Sequence, residues 1–244
     1  MIRYFSCLLV LVAGLAAAPE ASSSRSLRLV YAQAPEDAPE KIFLVAGSVI
    51  KEVSLPRMSL SPQRLDLPAG PVRVFAATKA PTRDNPLPSD APFADIPETM
   101  GNALVVLLPN GSSGPLAFQM LPVEFSRSAV PEGAVMSFNL TERTLFAKLG
   151  SAQGVVAPRR SAVVMPSGKP GETYQAMVDL SPEPGETETE PFLRALWQKK
   201  AQRSTLMFVV VDPARKYPRL LSIPAVQEDE PESPKDKKRG TKKP

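Results

Sequence analysis

The chain has 244 residues, among them 28 prolines and 13 glycines but no histidine and only one cysteine. This proline content argues against a helix bundle, because an interior proline removes a backbone N–H and clashes with the preceding turn. Without histidine the chain lacks the commonest general base and metal ligand, so we expect neither histidine-based catalysis nor a zinc site. The formal net charge of +4 lies mostly near the two ends, and we expect no nucleic-acid binding.

The N-terminal segment is typical of an export signal. A positive charge precedes an apolar run at residues 7–18, which is too short to span a membrane but long enough for a signal peptide. The predicted signal covers residues 1–32, and an earlier cleavage position near 16–18 is also compatible with the small residues there. Cys7 begins the apolar run, whereas a lipid-bearing cysteine would end it. We therefore expect a periplasmic or secreted protein that is not a lipoprotein and has no transmembrane span in its mature chain.

Windows without proline locate the predicted strands, because proline is kept out of central strands. The first is a continuous apolar run at residues 42–50, which predicts a buried strand. A hairpin is predicted next, in which strands at 65–67 and 72–78 flank the Pro-Ala-Gly-Pro turn signal at 68–71.

The proline-rich residues 80–98 are predicted to be a long surface loop inserted between strands. Beyond it, alternating or continuous apolar runs predict short strands at 103–108, 116–125, 134–140, 144–148, 154–157, 161–165, 174–180, 205–211 and 219–223. Residues 190–202 fit two structures, because they carry helix-end signals but are also compatible with a strand at 192–198. The β-structure predicted on both sides favours the strand.

About nine to twelve short strands separated by turn signals are typical of an all-β fold. We expect a β-sandwich of immunoglobulin-like or related Greek-key or jelly-roll type, with few or no helices. A single domain is predicted over residues 41–226, after a linker at 33–40, because β-sandwiches often reach 200 residues and no interior segment has the composition of a domain boundary. No fixed sequence period indicates internal repeats. The charged tail at 227–244 has no apolar residue able to pack except prolines, so its composition predicts disorder.

No residue pattern in the chain predicts an enzyme. Residues 48–51 match the Ser-x-x-Lys pattern of penicillin-recognising enzymes, but in a strand-like run positions three apart face opposite sides. The acidic run at 183–190 lacks the spacing of a calcium loop and is expected to be solvated. Paired carboxylates can hydrolyse sugars, but no spacing brings together any two of the candidates Asp66, Glu124, Asp179 and Asp212. We therefore predict a non-enzymatic protein with no catalytic, cofactor-binding or metal-binding residues and no cofactor.

Two aromatic residues and the basic end of the tail are the candidate binding elements. Trp197 and Tyr217 could form a flat platform for a ligand, although the apolar neighbours of Trp197 favour a core position. Six basic side chains of the tail could contact an anionic polymer or lipid headgroups, or could simply be solvated: Lys235, Lys237, Lys238, Arg239, Lys242 and Lys243.

The order of several short motifs resembles a group of small exported proteins from Verrucomicrobia-type bacteria. The motifs follow the export signal and are VSLP at 53–56, LPAGP at 67–71, LVVLLP at 104–109, FNLT at 138–141, Trp197, FVVV at 208–211 and YPR at 217–219. This resemblance covers residues 42–223 and implies an exported β-protein. It carries over no catalytic residue.

Together these patterns predict an exported, non-enzymatic β-sandwich protein that acts by binding or assembly at the cell envelope. Its partner would be an envelope protein or a polysaccharide, contacted by the loops at 80–98 and 183–190 or by an exposed sheet edge. The alternative is a carbohydrate-binding or carbohydrate-acting domain, which would present Trp197 and Tyr217 on one exposed face.

Overall fold

The computed structural model describes residues 25–35, 37–183, 185, 189–211 and 216–226. Within these residues the regular structure consists of sixteen strands and no helix, so the predicted all-β class is confirmed. In chain order the strands are β1 (Ser26–Tyr31), β2 (Lys41–Ala46), β3 (Val49–Ser54), β4 (Leu65–Asp66), β5 (Val72–Ala77), β6 (Phe93–Ile96), β7 (Asn102–Pro109), β8 (Phe118–Glu124), β9 (Val135–Asn139), β10 (Leu145–Leu149), β11 (Ala152–Val156), β12 (Ser161–Val164), β13 (Thr173–Leu180), β14 (Leu193–Gln198), β15 (Ser204–Val211) and β16 (Pro218–Ala225).

The strands form four sheets of four strands each. We name them by position: inner sheet 1 has the order β4-β1-β7-β8, outer sheet 1 has β3-β2-β5-β6, inner sheet 2 has β12-β9-β15-β16, and outer sheet 2 has β11-β10-β13-β14. All strand pairs are antiparallel except β1 with β7 and β9 with β15. The second eight strands therefore repeat the order of the first eight, and the chain contains two sandwiches of one topology where the sequence predicted a single sandwich.

Three apolar cores hold the four sheets in a stack. The first core lies between outer sheet 1 and inner sheet 1, and the third lies between inner sheet 2 and outer sheet 2. The second core lies between the two inner sheets, so the sandwiches pack back to back. On β7, Val105 and Leu107 face the first core while Leu104 and Val106 face the second. The inner sheets are thus buried on both faces, which explains the uninterrupted apolar run of this strand.

Two sequence predictions in the first sandwich were wrong. The run at 42–50 is not one strand, because Gly47 adopts a φ of 60° and turns the chain from β2 into β3. The segments at 65–67 and 72–78 do not form a hairpin, because β4 pairs with β1 in inner sheet 1 while β5 pairs with β2 in outer sheet 1. The proline-rich turn between them carries the chain from one sheet to the other.

The chain is part of the fold from Arg25 onward. Strand β1 lies within the predicted signal of residues 1–32, and it occupies the centre of inner sheet 1 between β4 and β7. Ala34 and Ala38, from the predicted linker, pack against the first core. A cleavage after residue 32, the later of the two predicted positions, would remove this central strand.

The second sandwich follows the sequence prediction closely. Residues 190–202 contain strand β14 and not a helix, and β10 to β13 coincide within a few residues with the predicted strands.

In the first sandwich, the segment at 80–98 is a surface loop that ends in the short strand β6. No helix that could cross a membrane occurs in the described part of the chain.

Candidate functional site

The outer face of outer sheet 1 carries an uninterrupted row of apolar side chains. Val45 of β2 lies opposite Ile50 of β3 on one side and opposite Phe75 of β5 on the other, and Phe75 lies opposite Phe93 of β6. Residues directly opposite one another in a sheet point to the same face, with Cβ atoms about 4.5–5.5 Å apart. These four side chains cross the whole sheet, and we call them the apolar row.

The apolar row is open to solvent at both ends. Ile50 and Phe93 are each 45% exposed, while Val45 and Phe75 are half-buried. None of the four belongs to the three apolar cores. The Phe75 and Phe93 rings have centroids 5.9 Å apart, within the range of favourable aromatic pairs. A contiguous exposed apolar patch of this kind marks an interaction site far more often than apolar residues scattered singly over a surface.

A bidentate ion pair lies along one side of the apolar row. Arg73 donates to the Asp95 carboxylate through Nε and Nη2, at 2.7 and 2.9 Å, and its guanidinium carbon lies 4.2 Å from the centre of the Phe93 ring. The hydrogen bond from Arg73 lowers the pKa of Asp95, and the same bond raises the pKa of Arg73. The ring and the carboxylate together fix the guanidinium, so a positive charge is held in place beside the row.

A second ion pair lies on the other side of the row. Lys41 Nζ is 2.7 Å from a carboxylate oxygen of Glu52, and this hydrogen bond raises the pKa of the lysine. Glu52 lies opposite Phe43, which neighbours Val45 on the same face of β2. The exposed face therefore has an apolar centre with one ion pair on each side, as in other interaction patches with polar rims.

A groove adjoins the exposed Phe93 at the edge of the sheet. It lies between the proline-rich loop and the turn at residues 110–116 and has a volume of about 750 Å³. Its lining combines polar and apolar side chains, including Asp90, Asn110, Gln119, Leu116 and Met120. A smaller cavity of about 240 Å³ lies under the loop itself and shares Leu116 with the groove. The predicted functional loop thus forms one wall of a surface groove next to the apolar row.

The two aromatic residues of the predicted platform have different environments. Trp197 on β14 is half-buried against the third core, and its ring meets Tyr174 edge-on with centroids 6.5 Å apart. Tyr217 is 57% exposed directly before β16. The apolar neighbours of Trp197 therefore place it against the third core.

The platform residues also lie at opposite ends of the second sandwich. Tyr217 precedes β16 at the same end of inner sheet 2 as Asn139, the last residue of β9. The side-chain amide of Asn139 donates to the Val156 carbonyl in outer sheet 2 at 2.9 Å, which identifies the matching end of that sheet. Pairing through β10 places Val156 level with Leu180, the last residue of β13. Tyr174, opposite the tryptophan, is near the start of β13, about 20 Å away along the strand. The two rings do not form one binding face.

The carboxylates considered for sugar hydrolysis do not converge. Asp66 and Glu124 are on the two opposite edge strands of inner sheet 1, three strand spacings or about 14 Å apart. Asp179 is in outer sheet 2, where its carboxylate accepts hydrogen bonds from the Leu180 amide and the Thr189 hydroxyl. Asp212 lies outside the described residues. In the described ranges no three acidic or cysteine side chains gather in a cluster able to hold a metal ion.

Other predicted elements are placed as follows. In the Ser-x-x-Lys pattern, Ser48 lies in the turn before β3 and Lys51 is on that strand, where its Nζ donates to the Arg64 carbonyl. In the acidic run, Glu183 pairs with Arg143 at 3.1 Å. The six basic residues of the tail lie outside the described residues.

The apolar row was not identified from the sequence. The sequence did contain one signal for the row, the alternation in β5. There Arg73 and Phe75 point outward, whereas Val74 and Ala76 point inward. Joining Ile50 to Phe93 across four strands depends on pairings between distant parts of the chain, which no local pattern encodes.

No family model and no curated protein matches this chain. Among solved structures it is similar to the Bacillus anthracis TIE protein, with 12% sequence identity over 77% of this chain and a TM-score of 0.23. The matched region spans 33% of that longer chain. A TM-score this low carries no argument about fold or function.

Proposed function

We propose that this chain is an exported, non-enzymatic binding protein of the cell envelope, and that the apolar row is the surface that contacts its partner. The observation that carries the proposal is the continuity of the row across all four strands of an outer sheet. Export is inferred from the signal pattern of the N-terminal residues, which lie outside the described part of the chain.

The chemistry of the row favours a protein partner. Its four side chains offer apolar surface and no hydrogen-bonding group, and the nearest charges, Arg73 and Asp95, are already paired with each other. Such a face suits an apolar segment of another protein, whose burial contributes roughly 25 cal/mol per Å². The flanking ion pairs would then form part of the polar rim of the interface.

Replacement of Phe93 by serine tests this proposal. Phe93 lies on an edge strand and is 45% exposed, so we expect Phe93→Ser to leave the fold intact while it removes one end of the row. Val155→Ser is the matched control, because Val155 is also on an outer-sheet edge strand and is 63% exposed, but belongs to the other sandwich. The tagged mature proteins would be used to capture partners from a detergent extract of the cell envelope, with circular dichroism as the check on folding.

We expect the wild type and Val155→Ser to enrich the same envelope protein and Phe93→Ser to lose it. Equal capture by folded Phe93→Ser, or no enrichment by the wild type, would contradict the proposal. A tagged chain that stays uncleaved in the cytoplasm would contradict the export part of it.

A polysaccharide is the second candidate partner, favoured by the groove beside Phe93. An exposed ring next to polar groups such as Asp90, Asn110 and Gln119 is an arrangement that can stack on a sugar and bond its hydroxyls. Titration calorimetry with purified envelope polysaccharide distinguishes the two partners. Heat of binding that disappears in Phe93→Ser would favour the polysaccharide over the protein.

A further inference from the structure

Strand β14 is an open edge of outer sheet 2. No described strand pairs with its outer side, and its sequence LRALWQ contains no proline, no glycine and one charged residue, Arg194. Leu196, at 77%, is the most exposed of the large apolar side chains in the described residues. Natural edge strands are normally blocked by prolines, charges, shortness or a covering segment, because an open edge pairs readily with another strand. Of these protections, β14 has only the single charge of Arg194.

The other sheet edges in the described residues do carry such protections. β4 has only two residues, and β6 and β12 have four each. Pro122 lies in β8, and Pro218 and Pro224 lie in β16, where each removes a backbone donor.

The two remaining edges differ: β3 carries the charged residues Lys51 and Glu52 and is covered only at its end, whereas β11 is covered by a neighbouring strand. Beside β3, the Gln63 side chain accepts a hydrogen bond from the Ser54 amide at 3.0 Å. β11 packs closely against β12, so closely that a Cβ on Gly154 would lie 2.3 Å from a Val164 methyl. Among the described edge strands of five or more residues, β14 is therefore the one that has no proline, no glycine, no second charge and no covering segment.

Hydrogen bonds at the end of β14 show which of its backbone groups point to the open edge. The Lys199 amide donates to the Glu172 carbonyl on the β13 side at 2.9 Å, and the Gln175 carbonyl accepts from Gly150 on the other side of β13. Because N–H and C=O groups alternate in direction along a strand, every second residue of β14 points its backbone away from β13. These residues are Arg194, Leu196 and Gln198.

We propose that two copies of this chain associate by antiparallel pairing of their β14 strands, with the two Leu196 residues opposite each other. This two-fold register places Arg194 of each copy opposite Gln198 of the other. All three pairs use backbone groups that point to the open edge, and each pair exchanges two N–H···O bonds, roughly six in total. The result is a continuous eight-stranded sheet built from the outer sheet 2 of both copies.

The side chains favour a second copy as the occupant of this edge. On the exposed face, Leu196 meets Leu196 of the partner subunit, and each Arg194 guanidinium meets an uncharged amide, so no like charges lie opposite one another. On the other face, the small Ala195 lies opposite Trp197 of the partner subunit, which leaves room for the half-buried indole. The strand is thus complementary to itself in the same register that its free backbone groups require.

Charge substitutions at Leu196 test both the pairing and its register. Sedimentation velocity on the mature chain over a concentration series is expected to show a monomer–dimer equilibrium. Leu196→Lys and Leu196→Glu each place like charges opposite one another at the two-fold axis, so each alone should weaken self-association at least about tenfold. A 1:1 mixture of the two variants should associate again as a heterodimer. Val155→Lys, on the edge strand at the other side of the same sheet, is the matched control and should behave as the wild type.

This proposal is independent of the proposed function, because it concerns the other sandwich and Phe93→Ser should leave self-association unchanged. A wild type that remains monomeric up to about 1 mM would overturn it. A dimer unaffected by either Leu196 variant would overturn the β14 interface. Dimers that both variants abolish but their mixture does not restore would overturn the register centred on Leu196.

Discussion

Removal of strand β1 should abolish folding of this chain. A variant that starts at Gln33 lacks Leu27, Leu29, Val30 and Tyr31, which are each no more than 2% exposed. Burial of such a side chain contributes about 1.5–3 kcal/mol, so the four together contribute about 6–12 kcal/mol. Since the whole stability of a domain is about 5–15 kcal/mol, their loss is enough to unfold inner sheet 1 and both cores that it lines.

Arg25 adds to the cost of this truncation. Its side chain is 8% exposed, and its guanidinium donates to four backbone carbonyls, among them Pro68 at 2.9 Å and Pro97 at 2.7 Å. These bonds tie the start of β1 to the turns that lead into outer sheet 1 and into β7. Hydrogen bonds to a charged group contribute about 1.5–3 kcal/mol each in favourable cases. A chain that lacks residues 25–32 therefore loses a strand and the group that anchors it.

The measurement compares two recombinant chains, one that starts at Pro19 and one that starts at Gln33. We expect the first to give a β-type circular dichroism spectrum and a cooperative urea transition, and the second to give neither. With export as proposed above, N-terminal sequencing of the exported product should find a cleavage position near 16–18. A chain from Gln33 with an unchanged urea midpoint, or an exported and folded product that begins there, would refute this account of the core.

Two further substitutions test single buried polar groups. Asn139 is fully buried, and its side-chain amide donates to the carbonyls of Arg143 and Val156. Asn139→Ala should therefore lower the free energy of unfolding by about 3 kcal/mol in urea titrations. The control Asn110→Ala, in an exposed turn, should change it by less than about 1 kcal/mol. Burial, helped by the charge of Asp37, raises the pKa of Tyr31 to about 12. The unfolded chain loses this proton near pH 10 while the folded chain keeps it, so stability should fall between pH 10 and 12 by about 2–3 kcal/mol, and Tyr31→Phe should remove that part of the fall.

The strands that the sequence predicted best are those whose environment is set by local pattern. β7 and β15 are continuous apolar runs because both of their faces are buried, and β13 alternates because only one of its faces meets a core. These strand positions could be predicted because burial on one or both faces determines which residues along the strand are apolar.

Pairings between strands could not be predicted in the same way. The turn signal at 68–71 is genuine, but it joins β4 to β5 across two sheets, and a turn residue does not encode which sheet its neighbours enter. The repeat of the eight-strand order was hidden for a related reason. The two halves have the same strand pairings, but their loops and strand lengths differ. The repeat of the fold therefore produces no fixed period in the sequence.

The back-to-back packing explains why both proposed surfaces lie on the outer sheets. The faces of the inner sheets that point away from their own sandwich are buried in the second core, so the exposed sheet surface of the described residues lies on the outer faces and the sheet edges. The two outer sheets then differ: outer sheet 1 presents the apolar row, whereas outer sheet 2 intersperses Lys148 and Arg194 among its exposed apolar residues but leaves the edge of β14 open. One topology used twice therefore leaves one sandwich with an open face and the other with an open edge, so that a partner and a second copy could bind at the same time.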